Sequence, residues 1–146
     1  MKKIYLDYAA ATPVDPEALR AMQPYFSSKF GNPGSLHSFG QEAIAAVDHA
    51  REITAHVLGA PRAYGFREII FTGSATEANN LALRGSVRDF MEINKNVLPR
   101  IIVSAIEHES VLETAKDLER DGVEVIYIPF DRSGIVDMDR IRTFLN

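Results

Sequence analysis

The sequence contains no cysteine and no tryptophan. Without a thiol, these residues can form no disulfide, no thiolate metal site and no cysteine nucleophile. Lysines are few, Lys2, Lys3, Lys29, Lys95 and Lys116, and 20 acids outnumber 16 bases for a formal net charge of -4. A sequence-independent hold on nucleic acid or on an anionic membrane needs clustered Lys and Arg. No such cluster stands out, so neither partner is expected. No run approaches the roughly 18 apolar residues of a transmembrane helix. The two N-terminal lysines lead to Asp7 rather than to the apolar core of a signal peptide, so the expected location is the cytoplasm. There is no G-x-x-x-x-G-K-[ST] and no G-x-G-x-x-G after a strand, and a nucleotide-binding reading loses most of its support. Internal repeats and low-complexity segments are also absent.

What is present is the composition of an ordinary globular domain, 146 residues with 46% hydrophobic and 25% charged side chains, enough to bury a core. Ile4 to Asp7 alternates apolar and polar residues, as a short strand or an extended arm. Asp15-Pro16-Glu17 reads as a helix start, with Asp at the N-cap and Pro at the first helical position. Leu19, Met22 and Phe26 recur at helical spacing, which predicts a helix to about Phe26 with that face buried. Residues 27–40, SSKFGNPGSLHSFG, hold three glycines, a proline and four serines without periodicity. Long unpatterned loops inside compact domains are often functional.

From about Gln41 to Leu58 the residues Ile44, Val47, Ala50, Ile53 or Thr54, and Val57 form a helical stripe closed by Gly59. His49 and His56 lie two turns apart on its polar face, too far to share a metal. Glu68 to Thr72 is a short apolar run that predicts a buried strand. A helix from near Ala75 then carries Leu83, Val87, Phe90 and Met91 on one face. Ile101 to Val103 is a second buried strand, and Ser110 to Arg120 a helix with Val111, Leu112, Ala115 and Leu118 inward, capped at Gly122. Val123 to Ile128 is a third strand. Asp131 to Gly134 forms a turn, and Asp137 caps a last helix through Met138, Ile141 and Leu145. Strands alternating with helices predict an α/β fold with a mostly parallel sheet and right-handed crossovers.

Thr72 to Asn80, TGSATEANN, places a glycine turn and an S-x-x-E capping box, Ser74 and Glu77, between a strand and a helix. Backbone N–H groups at such a junction, together with the helix dipole, can hold a phosphate. The Thr76 hydroxyl adds a donor, and Gly73 admits close approach of the anion. A helix that is merely well capped accounts for the pattern equally well. Glu107-His108-Glu109 opens the next helix after a strand, and ligands of parallel sheets sit outside the carboxyl ends of the strands. His108 and the Gly73 to Thr76 turn should therefore share one edge of neighbouring strands. An imidazole there can stack on an aromatic cofactor and take part in proton transfer, or it can simply cap its helix.

Four segments bear on this choice by their order and spacing: Tyr5 to Pro16 (YLDYAAATPVDP), Phe30 to His37 (FGNPGSLH), Gly73 to Asn80 (GSATEANN) and Glu107-His108. In all four the chain resembles cysteine desulfurases, of the class V aminotransferase group of fold-type-I pyridoxal-phosphate (PLP) enzymes. The resemblance spans essentially the whole chain. It implies that Ser74, Ala75 and Thr76 lie at the PLP phosphate and that His108 stacks on the pyridine ring and serves catalysis. It implies an N-terminal arm over residues 1–15 and, over 16–146, part of the PLP-binding large domain. Ala11 stands where a threonine is frequent in the family. Gly73-Ser74 reverses the more usual Ser-Gly, which puts Ser74 in place to cap the helix rather than to touch PLP.

The full reaction that this resemblance implies removes sulfur from L-cysteine to give alanine, a cysteine thiolate taking the sulfur as a persulfide for iron-sulfur cluster or thio-cofactor assembly. No residue here matches the family's pyridinium-pairing acid, Schiff-base lysine or nucleophilic cysteine loop. The expectation is thus an N-terminal piece that is inactive alone. Its expected partners are a second copy or a complementary chain, and a sulfur-acceptor protein. A non-catalytic pairing domain, or a piece of a selenocysteine lyase or another class V aminotransferase, are the competing readings.

Overall fold

The computed structural model describes residues 3–60 and 65–145, and the chain divides into two compact units, Met1–Ile70 and Phe71–Asn146. In the first unit, α1 (Pro16–Met22) starts as the sequence implies: Asp15 Oδ1 accepts from the N–H groups of Glu17 and Ala18 at 2.7 and 3.3 Å. Over Gln23–Phe26 the chain tightens into a 3₁₀ turn around Pro24, which has no N–H to continue an α-helical ladder. The face expected to be buried is open, with Leu19, Met22 and Phe26 all exposed. Residues 4–7 form no strand; Tyr5 Oη instead donates to the carbonyls of Asp7 and Ala11 and folds the arm on itself.

The loop 27–40 closes onto the start of α2 (Ser38–Val57). Asn32 Oδ1 accepts from Gly34 N–H at 2.9 Å, and the Phe30 and Phe39 rings stack with centroids 5.4 Å apart. Helix α2 begins three residues earlier than the periodicity suggests because His37 caps it, Nδ1 accepting from Gly40 N–H. Its end is as expected, Gly59 taking a left-handed φ of 73°. Ala55 and Gly40 are the buried residues of α2, whereas Ile53 and Val57 are exposed.

The second unit holds the sheet. Strands β1 (Arg100–Ser104) and β2 (Glu124–Ile128) pair in parallel, Arg100 opposite Glu124 through Ser104 opposite Ile128. They are joined by α4 (Glu109–Arg120), a β-α-β unit whose crossover is expected to be right-handed. Helix α3 (Ala75–Ile93) precedes β1 and α5 (Met138–Phe144) follows β2. The core is Val87 of α3, Leu118 of α4 and Val123, with Leu83, Ile101 and Val125 packed against it. Val103, Ala115 and Ile128 are buried too.

Two expectations fail here for physical reasons. Glu68 to Thr72 is not a strand: Gly65–Glu68 is a 3₁₀ turn and 69–72 has no regular structure. Among the described residues the sheet has two strands rather than three. An apolar run becomes a strand only when a neighbour satisfies its N–H and C=O groups, and none pairs with this one, so Ile70 and Phe71 stay exposed. The inward face of α4 is also rotated. Ser110, Thr114, Ala115 and Leu118 are buried, while Val111 and Leu112 are half-buried. Burying the two hydroxyls is tolerable because both are bonded, Thr114 Oγ1 donating to the Ser110 carbonyl at 2.8 Å and Ser110 Oγ meeting Asn79 and His108.

Candidate functional site

The site is built on the N-terminal ends of α3 and α4. Ser74 takes extended backbone angles as the N-cap of α3, and its Oγ accepts from Glu77 N–H at 3.1 Å. Glu77 reaches back in turn, and its Oε2 accepts from Gly73 N–H at 2.7 Å. The Ser74 half of an S-x-x-E capping box forms, while Glu77 reaches one residue past the N-cap, to Gly73 N–H. The Ser74 hydroxyl is therefore engaged in capping, as the Gly-Ser order suggests. An α-helix leaves its first N–H groups without intrahelical partners. Glu77 N–H is taken by Ser74 Oγ and Ala78 N–H by the Ser74 carbonyl, so the N–H groups of Ala75 and Thr76 are the ones left open. Both residues are exposed, beside the positive end of a 19-residue helix. Two backbone donors, a neighbouring threonine hydroxyl and the dipole make a cradle suited to a phosphate dianion.

His108 is the N-cap of α4. Its Nδ1 accepts from Ser110 N–H at 3.1 Å and lies 2.9 Å from Ser110 Oγ. The capping role and an open ring coexist, since the residue as a whole is exposed. The shared strand edge expected from the sequence does not form, because the strand before Gly73 is absent. Helix packing joins the two termini instead: Asn79 Nδ2, one turn into α3, donates to Ser110 Oγ at 2.8 Å. Ser74, Ala75 and Thr76 thus stand on one helix end and His108 on the other, linked through Asn79 and Ser110 rather than by direct contact.

Further along the same helix pair, Arg84 Nη2 bonds Asp117 Oδ2 and Arg84 Nε donates to Asn80 Oδ1 at 3.1 Å. The hydrogen bond from Arg84, and then its charge, hold the Asp117 carboxyl below the usual carboxylate range. A shallow cleft of about 280 Å³ between the helices is lined by Thr76, Asn80, Arg84, Ser110, Thr114 and Asp117, among others. On β2, burial and then the Glu119 charge raise the pKa of the Tyr127 phenol. Asn79 and Ser110 carry no recognisable signal of this role in the sequence. They lie 31 positions apart, and no local spacing rule connects them.

Residues 4–146 match the family model described as aminotransferase class-V. The chain belongs to that family. Among curated relatives it is 45% identical over 140 residues to the cysteine desulfurase IscS of Rickettsia massiliae, covering 95% of this chain and 32% of that protein. It is 43% identical to the cysteine desulfurase IscS of Dictyoglomus turgidum, over 99% of this chain and 34% of that one. The chain therefore spans about a third of the length of these class-V relatives. In three dimensions it resembles a NifS-like protein with a TM-score of 0.86 at 37% identity, over 97% of this chain and 37% of that one. It also resembles DndA from Streptomyces lividans, with a TM-score of 0.65 at 39% identity, over 86% of this chain and 33% of that one.

Proposed function

We propose that this chain supplies the phosphate cradle and the ring-facing imidazole of a PLP-dependent cysteine desulfurase. The observation that carries this reading is the open pair of N–H groups at Ala75 and Thr76, tied through Asn79 and Ser110 to His108, in a chain similar to cysteine desulfurases over nearly all its length. The residues present fit the cofactor: the exposed N–H groups of Ala75 and Thr76 could receive a phosphate, and the imidazole of the exposed His108 could receive a ring. When bound, PLP supplies an electron sink for reactions at the α-carbon of an amino acid. The chain's own residues would bind and orient. Ala75 and Thr76 N–H groups and the Thr76 hydroxyl would hold the phosphate, Ser74 would fix the helix end that presents them, and His108 would stack and hold a proton. The substrate of the whole reaction is L-cysteine, which loses sulfur to a thiolate and leaves alanine; that thiolate is not among these residues.

Without a covalent link to a lysine, PLP is expected to bind this chain with a Kd of about 10 μM to 1 mM. Calorimetric or fluorescence titration of the wild type against Thr76→Ala and His108→Ala tests the site. Each substitution should weaken binding several-fold, and a binding signal indifferent to both would remove the assignment.

The same reading includes association with a second copy or a complementary chain. Many large apolar side chains are left open, among them Leu36 at 92%, Leu6 at 88% and Ile93 at 73% exposure, and contiguous apolar surface of this kind favours association. Light scattering on the purified chain should find dimers or larger species. A monodisperse, cooperatively unfolding monomer would show that these residues close their own cores.

A further inference from the structure

The bonds around His108 determine which ring nitrogen carries the proton. The Ser110 backbone N–H can only donate, and it meets Nδ1 at 3.1 Å. Nδ1 must therefore present a lone pair, and the neutral ring carries its hydrogen on Nε2. Ser110 Oγ lies 2.9 Å from the same Nδ1; facing a lone pair, it must turn its own hydrogen toward the ring. It is free to do so because Asn79 Nδ2 donates to that oxygen at 2.8 Å. The opposite placement of the Asn79 amide would claim the hydroxyl hydrogen and set two lone pairs against each other at Nδ1. Ser110 is buried, with 9% of its surface exposed, which shields the chain of bonds from exchange with water.

We propose that Asn79 and Ser110 are positioning residues that fix His108 as the Nε2–H tautomer. With Nδ1 occupied by two donors, the ring can release or recover a proton only at Nε2. Its consequence for catalysis rests on the reading of His108 as the cofactor-facing imidazole. A ligand at that ring meets a donor, which suits an amino-acid substrate bringing an acceptor such as a carboxylate or a thiolate. A ligand offering only N–H or O–H groups finds no acceptor there.

The test is a long-range proton–nitrogen correlation spectrum of the ¹⁵N-labelled chain, recorded at a pH where the nitrogen shifts themselves show the His108 and His56 rings to be neutral. His56, exposed and on a different helix, is the internal reference. Each of the two hydrogen bonds that Nδ1 accepts is expected to favour Nε2–H about fivefold, so the Nε2–H to Nδ1–H ratio of His108 should exceed that of His56 by about fivefold or more. Asn79→Asp cannot donate to Ser110 Oγ, and its carboxylate claims the hydroxyl hydrogen, so the ratio should fall about fivefold or more. Ser110→Ala should lower it about fivefold, to what the Ser110 N–H bond alone sustains, and Asn79→Leu, which leaves the hydroxyl free to rotate, by less. If His108 serves only as a cap through Ser110 N–H, the Asn79 variants leave the ratio unchanged, and that result overturns the proposal. So does a wild-type ratio equal to that of His56, which decides the matter even where a variant fails to fold. Because the ratio is read without PLP, a failed PLP titration overturns the cofactor reading alone, whereas an unbiased tautomer with intact PLP binding overturns only this inference.

Discussion

Purified and supplied with PLP and L-cysteine, the 146-residue chain is expected to release neither sulfide nor alanine above a control without protein. The reaction needs a sulfur acceptor and a covalent anchor for the cofactor. The chain has no cysteine. Within the unit that carries the cradle, the two lysines lie elsewhere: Lys95 just beyond the end of α3, and Lys116 on α4, where it pairs with Glu113 at 2.7 Å. Positioning groups without reacting groups leave the barrier to carbon-sulfur cleavage in place. A measurable release that tracks protein concentration would mean that a group within these residues does the covalent chemistry. The division of labour argued for Ala75, Thr76 and His108 would then be wrong.

The largest structural effect of one substitution is expected at Gly40. A β-carbon there would lie 2.2 Å from the Ser35 carbonyl oxygen and 2.7 Å from its carbon. The obstacle is backbone, so no rotamer change relieves it. Gly40→Ala should push the 27–40 loop off the start of α2, at a cost of about 1–3 kcal/mol or more. Gly31, whose added β-carbon would meet the Phe39 carbonyl oxygen at 2.2 Å, should behave alike. Gly85 provides the contrast, since nothing lies within 4 Å of its added β-carbon; alanine in that helix interior should stabilise by about 0.5–1 kcal/mol. Urea unfolding of the three variants, with proteolysis at the loop as a local probe, checks the order. An unchanged midpoint and an uncut loop in Gly40→Ala would show that the loop does not dock as described.

Much of this protein was legible because the relevant physics is local. Capping joins a side chain to an N–H two or three residues away, so Asp15, Ser74 with Glu77, and Asp137 could be read directly, and each caps its helix. Left-handed glycines after helices follow the same logic at Gly59 and Gly122. The order of strand and helix from Ile101 to Ile128 follows from short apolar runs separated by a periodic one, which fixes a parallel pair with a helical crossover. Four ordered segments, Tyr5 to Pro16, Phe30 to His37, Gly73 to Asn80 and Glu107-His108, together named a family whose model then matched residues 4–146.

The tertiary structure alone decided what depends on partners distant in the chain. Glu68 to Thr72 has the composition of a strand, but a strand needs a ladder beside it, and hydrophobicity does not say whether one is there. Leu19, Met22 and Phe26 repeat with helical spacing, yet spacing marks a face without supplying what covers it; all three are exposed. Ser110 and Thr114 are not among the apolar residues expected to face inward, yet they are buried, because Asn79 and the Ser110 carbonyl satisfy their hydroxyls. The sequence by itself determined the caps, the parallel β-α-β unit and the residues that carry the family resemblance. Only the packing of α3 on α4 decided that Asn79 would reach Ser110 across 31 positions and settle which nitrogen of His108 holds the proton. A hydrogen bond between distant residues exists only once the chain has folded to bring them within 3 Å or so of each other.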